Sequence, residues 1–564
     1  MSSRLREQRA LCESRQDELR WSLLESRTLR YVLLALLIGH MGFVMVASAD
    51  GDAPTYDEPA HLAAGLAYAE QGDLRFNPEH PPLAKWLSGE SVALLSSTYV
   101  PSDGSEFNDV DQYGLGIRIL YGEGNDVEDV LRLARAPMIG LTLALVLVAY
   151  GFASELFGYA GGLLTVALLT TDPNLLAHGR LVTTDVPMTL FLIASLYLVL
   201  LIYRHGPKWQ LVLPAGGCLG LALATKYSAL LLVPVVATLL YAAALRSREE
   251  GVSSTRRGAL VATLWALCAA LATVWIIYLA IDPSLSFSRP PTWPPEAQRR
   301  LLDLLPLPEP YREGLNFTLT ADRQGRTGYL FGDVYSGGRA VFFPAVLVLK
   351  TPIGTLIAWV LGAALIVVRR RNAAILFLMA PAGWWMIFAL ASKTNLGVRH
   401  VIIVSVLLSI AAGALVSSHR SPLRHLALPL ALAAAVSSWA AAPHHLPYIN
   451  EAFGGSSRSG DLVSDSNVDW GQDLFRLVDT LEEAYPAESQ PWILYFGSTD
   501  LEAFAVDFRD VLEADPSEVH GLVAISISAR NSHHPEIAEE LVDRGTLIET
   551  VGRSIELYRV RPAT

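Results

Sequence analysis

The chain has 564 residues, 52% of them hydrophobic, with a mean hydropathy of +0.35. Its apolar residues arrive in blocks roughly twenty long, which excludes an ordinary soluble protein and points to a polytopic membrane protein. A formal net charge of -12 argues against nucleic acid as a partner, and the three scattered cysteines, Cys12, Cys218 and Cys268, give neither a disulfide framework nor zinc spacing.

Residues 1–28 are rich in Arg and Glu and read as a cytoplasmic helix. No short apolar stretch with a small-residue cleavage site lies within them, so the first apolar block, 31–49, is expected to remain as an uncleaved span. That block is apolar apart from His40. Two adjacent carboxylates, Asp57 and Glu58, follow at the expected membrane surface. Pro59 suits a helix start and Gly72 a helix end. Asp57 and His61, four apart, share one face of that helix. Leu62, Leu66 and Ala69 form an apolar face suited to lie on the membrane. HPPLAK (80–85) follows, and the remainder of the polar segment 50–134, from Pro101 to Asp129, is acidic, Gly-rich and loop-like.

Further apolar blocks stand at about 136–156, 159–172, 183–203, 209–225, 227–245, 258–281, 341–368, 373–391, 398–417 and 424–442. With the first they make eleven expected spans in a membrane domain at 29–442. Taking the N-terminus as cytoplasmic, the loops 203–208, 246–257, 369–372 and 418–425 fall inside, and all are basic, in accord with the positive-inside rule. The segments 50–134 and 282–340, and the tail 443–564, then fall outside. The tail is acidic and polar. It mixes helix-like stretches (473–485, 535–543) with strand-like ones (492–496, 522–527, 554–560), as expected of an α/β domain of about 120 residues. The fold class is thus an α-helical polytopic membrane protein with a C-terminal extracytoplasmic α/β domain.

The candidate reactive groups gather on the outer side. Asp57, Glu58, His61, His80 and Lys85 belong to the first outer segment, and His178, Arg180 and Asp185 to the second. Lys226 sits at a turn between two spans, Lys350 inside a span near its outer end, and Lys393, Arg399 and His400 in the last short outer loop. Segment 282–340 adds Asp322, Arg323 and Arg326. Ionisable groups beside a bilayer are costly unless partnered or wet, so their convergence suggests one polar cavity. Carboxylates suit proton abstraction, and Lys and Arg suit a phosphate. Plainer readings stand beside these. Acidic residues are common in a helix's first turn. Arg399, Lys393 and Lys350 also fit snorkelling to the interface. Asp172-Pro173 fits a turn, and His444-His445 and His533-His534 fit surface histidines. Asn316-Phe317-Thr318 matches a glycosylation sequon.

DE followed by HPPLAK at this spacing after a first span resembles the protein O-mannosyltransferases. More broadly the chain is similar to the C-type (GT-C) glycosyltransferases, which include the lipid A aminoarabinose transferases. HGRLVTTDVPMTLF (178–191), ATKYSALLLVP (224–234), GYLFGDVYSGGRAVFFPAVLVLKTP (328–352), NLGVRH (395–400), YINEAFGG (448–455) and DSNVDWGQDL (465–474) resemble segments of bacterial phospholipid-carrier-dependent members. The likeness runs from about residue 29 to 475, and the β-trefoil insertion of the protein O-mannosyltransferases is missing. The resemblance implies transfer of a sugar from a polyprenyl-phosphate carrier to a glycan, lipid or protein acceptor on the non-cytoplasmic side, with inversion. Mapped here, Asp57 is the general base. Lys226 and Lys85, with Arg180, Arg399 and His400, serve the lipid phosphate. Glu58, His61 and His80 hold the loop or acceptor, and Asp185, with His178 beside it, orients a cation or sugar hydroxyls. A divalent metal is possible in some C-type enzymes, but no ligand spacing here requires one. The competing class is a transporter or flippase of lipid-linked sugars, which predicts ionisable groups near the bilayer midplane and symmetric halves.

Overall fold

The computed structural model describes residues 27–246, 255–285, 287, 290, 302–418, 422–486, 488 and 490–563. The expected helix at 1–28 lies almost wholly outside them. The first helix, α1 (Arg27–Ala49), is 23 residues of apolar sequence, about 35 Å at the helical rise per residue. Its Leu36 and Phe43 are exposed, as lipid-facing side chains are. Next come α2 (Glu58–Gln71) and α3 (Leu83–Leu95). Leu62 and Leu66 do not lie on the membrane; they are buried inside the protein. The cause is a close crossing. A Cβ added to Gly65 would stand 2.2 Å from the carbonyl oxygen of Lys85, and one on Gly89 would meet the Gly65 backbone at 2.1 Å. Only glycine lets these two backbones touch. Segment 101–129 is less loop-like than expected and holds short helices at Gly104–Asn108 and Gln112–Ile117.

The bundle continues with α4 (Val127–Phe157), α5 (Tyr159–Thr170), α6 (Pro173–His178), α7 (Asp185–His205), α8 (Trp209–Leu223), α9 (Tyr227–Arg246) and α10 (Arg256–Ile281). Then follow α11 (Glu309–Gln324), α12 (Phe342–Leu349), α13 (Ile353–Val368), α14 (Asn372–Ala391), α15 (Val398–Val416) and α16 (Pro422–Ala441). Among the described residues, eight helices are long and apolar enough to cross a membrane, and nine if α12 and α13, bent by 118°, make one span. The two further blocks in the expected eleven form α5 and α8, of 12 and 15 residues, shorter than a full crossing. Both stop at breaks that carry polar residues, Thr171-Asp172 after α5 and Thr225-Lys226 after α8. Asn316 of the sequon is buried within α11, so no acceptor amide is offered at the surface there.

A small hairpin, β1 (Thr327–Leu330) with β2 (Asp333–Ser336), precedes α12. The tail is a three-layer α/β/α unit. Its sheet runs in the order β4-β3-β5-β7-β6, from β3 (Trp492–Leu494), β4 (Arg509–Asp510), β5 (Gly521–Ser526), β6 (Gly545–Val551) and β7 (Ile555–Val560). β3 is parallel to β4 and β5, while β7 is antiparallel to β5 and β6. Alternation sorts the two faces. Ile493, Leu522 and Ala524 pack with Leu474, Leu477 and Leu481 of α17 (Leu474–Ala484). Trp492, Leu494, Val523 and Ile525 pack with Ala538 and Leu541 of α18 (Pro535–Arg544). The second core also takes in Ala177, Leu181 and Leu446, so the tail is built onto the end of the bundle.

Candidate active site

The turn into α2 is organised from below by Glu58. Its carboxylate accepts from Arg135 Nε (2.9 Å) and Nη2 (2.6 Å), from the Thr55 amide (2.9 Å) and hydroxyl (3.1 Å), and from the Val182 amide (3.0 Å). Arg135, on α4, also donates to the carbonyls of Ala49, Asp52 and Ala53. Burial alone would push the Glu58 carboxyl up; Arg135 and the backbone donors hold it below the usual range. A second knot lies beside it. Arg180 Nη2 meets Asp52 at 2.5 Å, and Arg476 joins Asp52 (2.8 Å) to Asp473 (2.5 Å). Burial opposes ionisation of Asp52 too, and Arg180, Arg476 and Arg135 outweigh it.

Asp57 sits just above these knots as the N-cap residue of α2. Arg399, at the start of α15, donates to Asp57 Oδ2 at 2.9 Å and stands 3.9 Å from Asp185 Oδ2. Lys226 donates to Asp185 Oδ1 at 2.6 Å. Asp57, Arg399, Asp185 and Lys226 thus form one alternating chain of charge at the ends of four helices. The chain departs from that pattern at Asp465, which bears electrostatically on both Arg399 and Asp57. The Arg399 guanidinium lies over the Trp470 ring, 4.1 Å from its centroid, and the His178 ring stands edge-on to the same indole at 6.2 Å. His400 lies within electrostatic reach of Asp185 and its ring stacks near Phe343 at 6.2 Å.

Several buried polar atoms here have no hydrogen-bond partner among the described residues: both ring nitrogens of His178, the hydroxyls of Thr183 and Thr184, Asp185 Oδ2 and Arg399 Nε. An unsatisfied buried polar group costs about 1–3 kcal/mol, so a concentration of them is unusual outside a binding site. Burial, Arg399 and Lys350 hold the His178 imidazole well below its usual range, and it is neutral at pH 7.

The remaining sequence candidates lie outside this chain of charge. Lys85 does not reach it; its ammonium is buried and donates to Asn77 O (2.7 Å), Asn77 Oδ1 (2.9 Å) and His80 O (2.7 Å), so it ties the loop before α3. His61 contacts the Val182 carbonyl through Nδ1 at 2.6 Å, and the His80 ring lies 5.8 Å from it. Arg180 is committed to Asp52. Lys350 is buried rather than snorkelling, with Nζ 2.5 Å from the carbonyls of Leu446 and Asn467. His445 is likewise buried, not a surface histidine. The backbone of Leu83 donates to Ala224 O at 2.9 Å, which joins the HPPLAK and ATK segments. Among the described residues, no group of three or more His, Cys, Asp or Glu side chains is arranged to hold a metal ion. Two surface cavities lie elsewhere, one of about 160 Å³ beside Asp52 and Arg135 and one of about 260 Å³ beside Asp73 and Asp282.

Arg135, Asp52, Trp470 and Asp469 are the residues that sequence reasoning did not single out. Arg135 had a signal, a cation directly abutting an apolar block. Asp469 had none beyond its place in DSNVDWGQDL. It is buried in the tail and accepts from the Ser526 hydroxyl, the Ser528 amide (2.8 Å) and the Gly471 amide (3.2 Å). Burial pushes its carboxyl up to about 7, against those donors. The folded protein therefore holds a proton there that the unfolded chain releases near pH 4, and this contribution to stability is lost as pH rises through 7. Asp469→Asn should flatten the fall in melting temperature as pH rises from about 4 to about 7, the interval between the unfolded and folded values of this carboxyl. Taking wild type and variant together cancels the histidine titrations, and an equal slope in both would refute the assignment.

Residues 125–278, just over a quarter of the chain, match the family model described as dolichyl-phosphate-mannose-protein mannosyltransferase. No curated protein sequence matches the chain. Among solved structures, that of ArnT from Cupriavidus metallidurans in the apo state aligns over 94% of this chain and 98% of its own, at 13% identity and a TM-score of 0.46. The Archaeoglobus fulgidus oligosaccharyltransferase tethered with an acceptor peptide aligns over 95% and 74%, at 11% identity and a TM-score of 0.45. The S. cerevisiae protein O-mannosyltransferase Pmt1-Pmt2 complex bound to the sugar donor aligns over 45% and 33%, at 16% identity and a TM-score of 0.32. The segment that carries Arg135, His178, Asp185 and Lys226 thus matches the dolichyl-phosphate-mannose-protein mannosyltransferase model.

Proposed function

We propose that the protein transfers a sugar from a polyprenyl-phosphate donor to an acceptor hydroxyl on the non-cytoplasmic side of a cell membrane, inverting the anomeric centre. The observation that carries the reading is the contrast among the carboxylates. The side chain of Asp57 is 23% exposed, whereas those of Glu58 and Asp185 are 1% and 2% exposed. Asp57 alone of the three is open to an incoming acceptor while fixed by a cation.

In the proposed step Asp57 takes the proton of the acceptor hydroxyl, and the freed oxygen forms a bond to the anomeric carbon. The bond from that carbon to the phosphate oxygen breaks, and its electron pair leaves with the polyprenyl phosphate. Lys226 and Arg399 stabilise the charge on that leaving group as preorganised donors. Glu58 acts through Arg135, holding the turn that presents Asp57, and Asp185 fixes the two cations. No step needs a metal ion. The transporter reading predicts charges at the bilayer midplane; the four charged groups here stand instead at the beginnings of α2, α7, α9 and α15. The basic loops in the sequence favour a cytoplasmic N-terminus and a tail on the far side.

The test is transfer by the purified full chain in lipid, from labelled polyprenyl-phosphate hexoses to glycan, lipid and peptide acceptors, with the product's anomeric configuration read by NMR. Transfer with inversion is expected. A retained configuration would sink the single displacement with Asp57 as base, and sugar-lipid flux across proteoliposomes without any transfer would favour the transporter.

A further inference from the structure

The ion pairs beneath the Asp57 turn border a cavity of about 160 Å³ between the end of α1 and the start of α4. Its α4 wall is one helical stripe, Glu128, Leu131, Arg132, Arg135, Ala136 and Ile139, spaced three and four apart. Its α1 wall is Val46 and Ala49, with Asp50 directly after the helix, and Phe475 of the tail completes the lining. Both walls run from apolar to charged. On α1, Val46 gives way to Asp50; on α4, read backwards, Ile139 and Ala136 give way to Arg132 and Glu128. Val46 and Ala136 are exposed. The gradient is that of a lipid molecule, from acyl chain to head group, and it lies where two helices long enough to span a membrane end their apolar run.

The charges at the mouth choose the head group. Asp50 stands 3.6 Å from Arg132 and Asp129 stands 3.8 Å from it, and all three side chains are about half exposed. Such open pairs are weak and yield to a ligand at little cost. Glu128 is exposed on the same stripe. The mouth therefore sets three carboxylates against one guanidinium. Behind it the cations are committed, Arg135 to Glu58, and Arg180 and Arg476 to Asp52. An anionic head group would meet an acidic rim with a single open cation. A zwitterion suits both signs: its phosphate accepts from Arg132, and a primary ammonium donates to Asp50 and Glu128. A quaternary ammonium carries the charge but has no N–H to donate. A free phosphoamine lacks the acyl chain for which the Val46 and Ile139 walls are suited.

We infer that this cleft holds a zwitterionic phospholipid with a primary-ammonium head group, of the phosphatidylethanolamine type, drawn from the leaflet on the Asp57 side. Arg132 takes its phosphate, Asp50 and Glu128 its ammonium, and an acyl chain lies along Val46 and Ile139. Asp52 and Arg135 line the same cavity, so the lipid covers their ion pairs and steadies the turn from α1 into α2. The site stands independently of the glycosyl-transfer reading.

The experiment is native mass spectrometry of the full chain released from nanodiscs of phosphatidylethanolamine, phosphatidylcholine and phosphatidylglycerol, in equal parts and with identical acyl chains. Wild type should retain the ethanolamine lipid at least about tenfold over either competitor. Asp50→Asn/Glu128→Gln keeps both side chains' size and removes their charge, so it should bring the ethanolamine and choline lipids level. Ala136→Phe fills the apolar part of the cleft and should abolish the preference as well. In detergent, added phosphatidylethanolamine should raise the melting temperature of wild type and leave that of Ala136→Phe unmoved. No ethanolamine preference in wild type, a preference for the glycerol lipid, or a preference that survives in either folded variant would overturn the site. Should neither variant fold, a phosphatidylethanolamine with a photoreactive acyl chain decides on the wild type: crosslinks to the turns of Val46 or Ile139 support the cleft, and crosslinks confined elsewhere defeat it. None of these results depends on whether the protein transfers sugar.

Discussion

Asp57→Asn is expected to lower the rate of sugar transfer by about 10²–10⁴-fold, the usual contribution of a positioned general base. The substitution keeps the side chain's size and its place at the N-terminus of α2, and it removes the proposed proton acceptor. Arg399 loses its 2.9 Å partner at Asp57 but keeps Asp185 at 3.9 Å and the Trp470 ring, so the donor-binding end of the cluster stays in place. The loss should therefore fall on kcat, with donor affinity changed little. Single-turnover transfer, read beside equilibrium binding of the donor, separates the two. A rate within about tenfold of wild type would remove Asp57 from the role of base and leave Asp465, the neighbouring carboxylate on the tail side, as the group to test.

Glu58→Ala should be the most destabilising single change at the site, by about 3–5 kcal/mol, because it strands the Arg135 guanidinium in the interior. Arg135 is 2% exposed and has no other carboxylate within salt-bridge distance among the described residues. Three of its donors also hold the carbonyls of Ala49, Asp52 and Ala53, so the damage should reach the whole turn from α1 into α2. A melt monitored in detergent should show a large fall in Tm and a parallel loss of activity. Adding Arg135→Met should recover part of the stability, since the pair is then removed together and no charge stays buried alone. If Glu58→Ala melts within about two degrees of wild type, the interpretation of Glu58 as the organiser of the turn fails.

The parts of the molecule legible in sequence are those where one local pattern decides. Apolar blocks gave the long helices, and the break at Lys226 put that lysine at a turn between two spans; its pairing with Asp185 is seen only in the structure. In the tail, the strand-like stretches 492–496, 522–527 and 554–560 located β3, β5 and β7. Two strands escaped. β4 is two residues long, and β6 is mostly exposed, so neither carries an alternating apolar signal. Individual side-chain roles were harder to read. Lys85 and Arg180 have the residue types a phosphate site wants, yet the fold spends both on internal oxygens. Whether a buried cation faces a ligand or a carbonyl depends on contacts such as Asp52 to Arg180, 128 residues apart, which no local spacing encodes. Leu62 and Leu66 show the same limit. An apolar face finds protein as readily as lipid, and the glycine crossing with α3 decided which.

The strand entering Asp57 is bonded to the far end of the chain: the Tyr56 amide to the Trp470 carbonyl at 2.8 Å, the Ala53 amide to the Gln472 carbonyl at 2.9 Å, and the Ser498 hydroxyl to the Tyr56 carbonyl at 2.8 Å. Such sequence-distant contacts form late, after the segments between them are in place. During synthesis, the Asp57 turn must wait for some four hundred residues before its backbone finds its partners. A chain clipped just ahead of 465–474 would keep its spans and lose the backbone partners of its Asp57 turn. On the proposed reading, such a fragment should transfer no sugar although it carries Asp57.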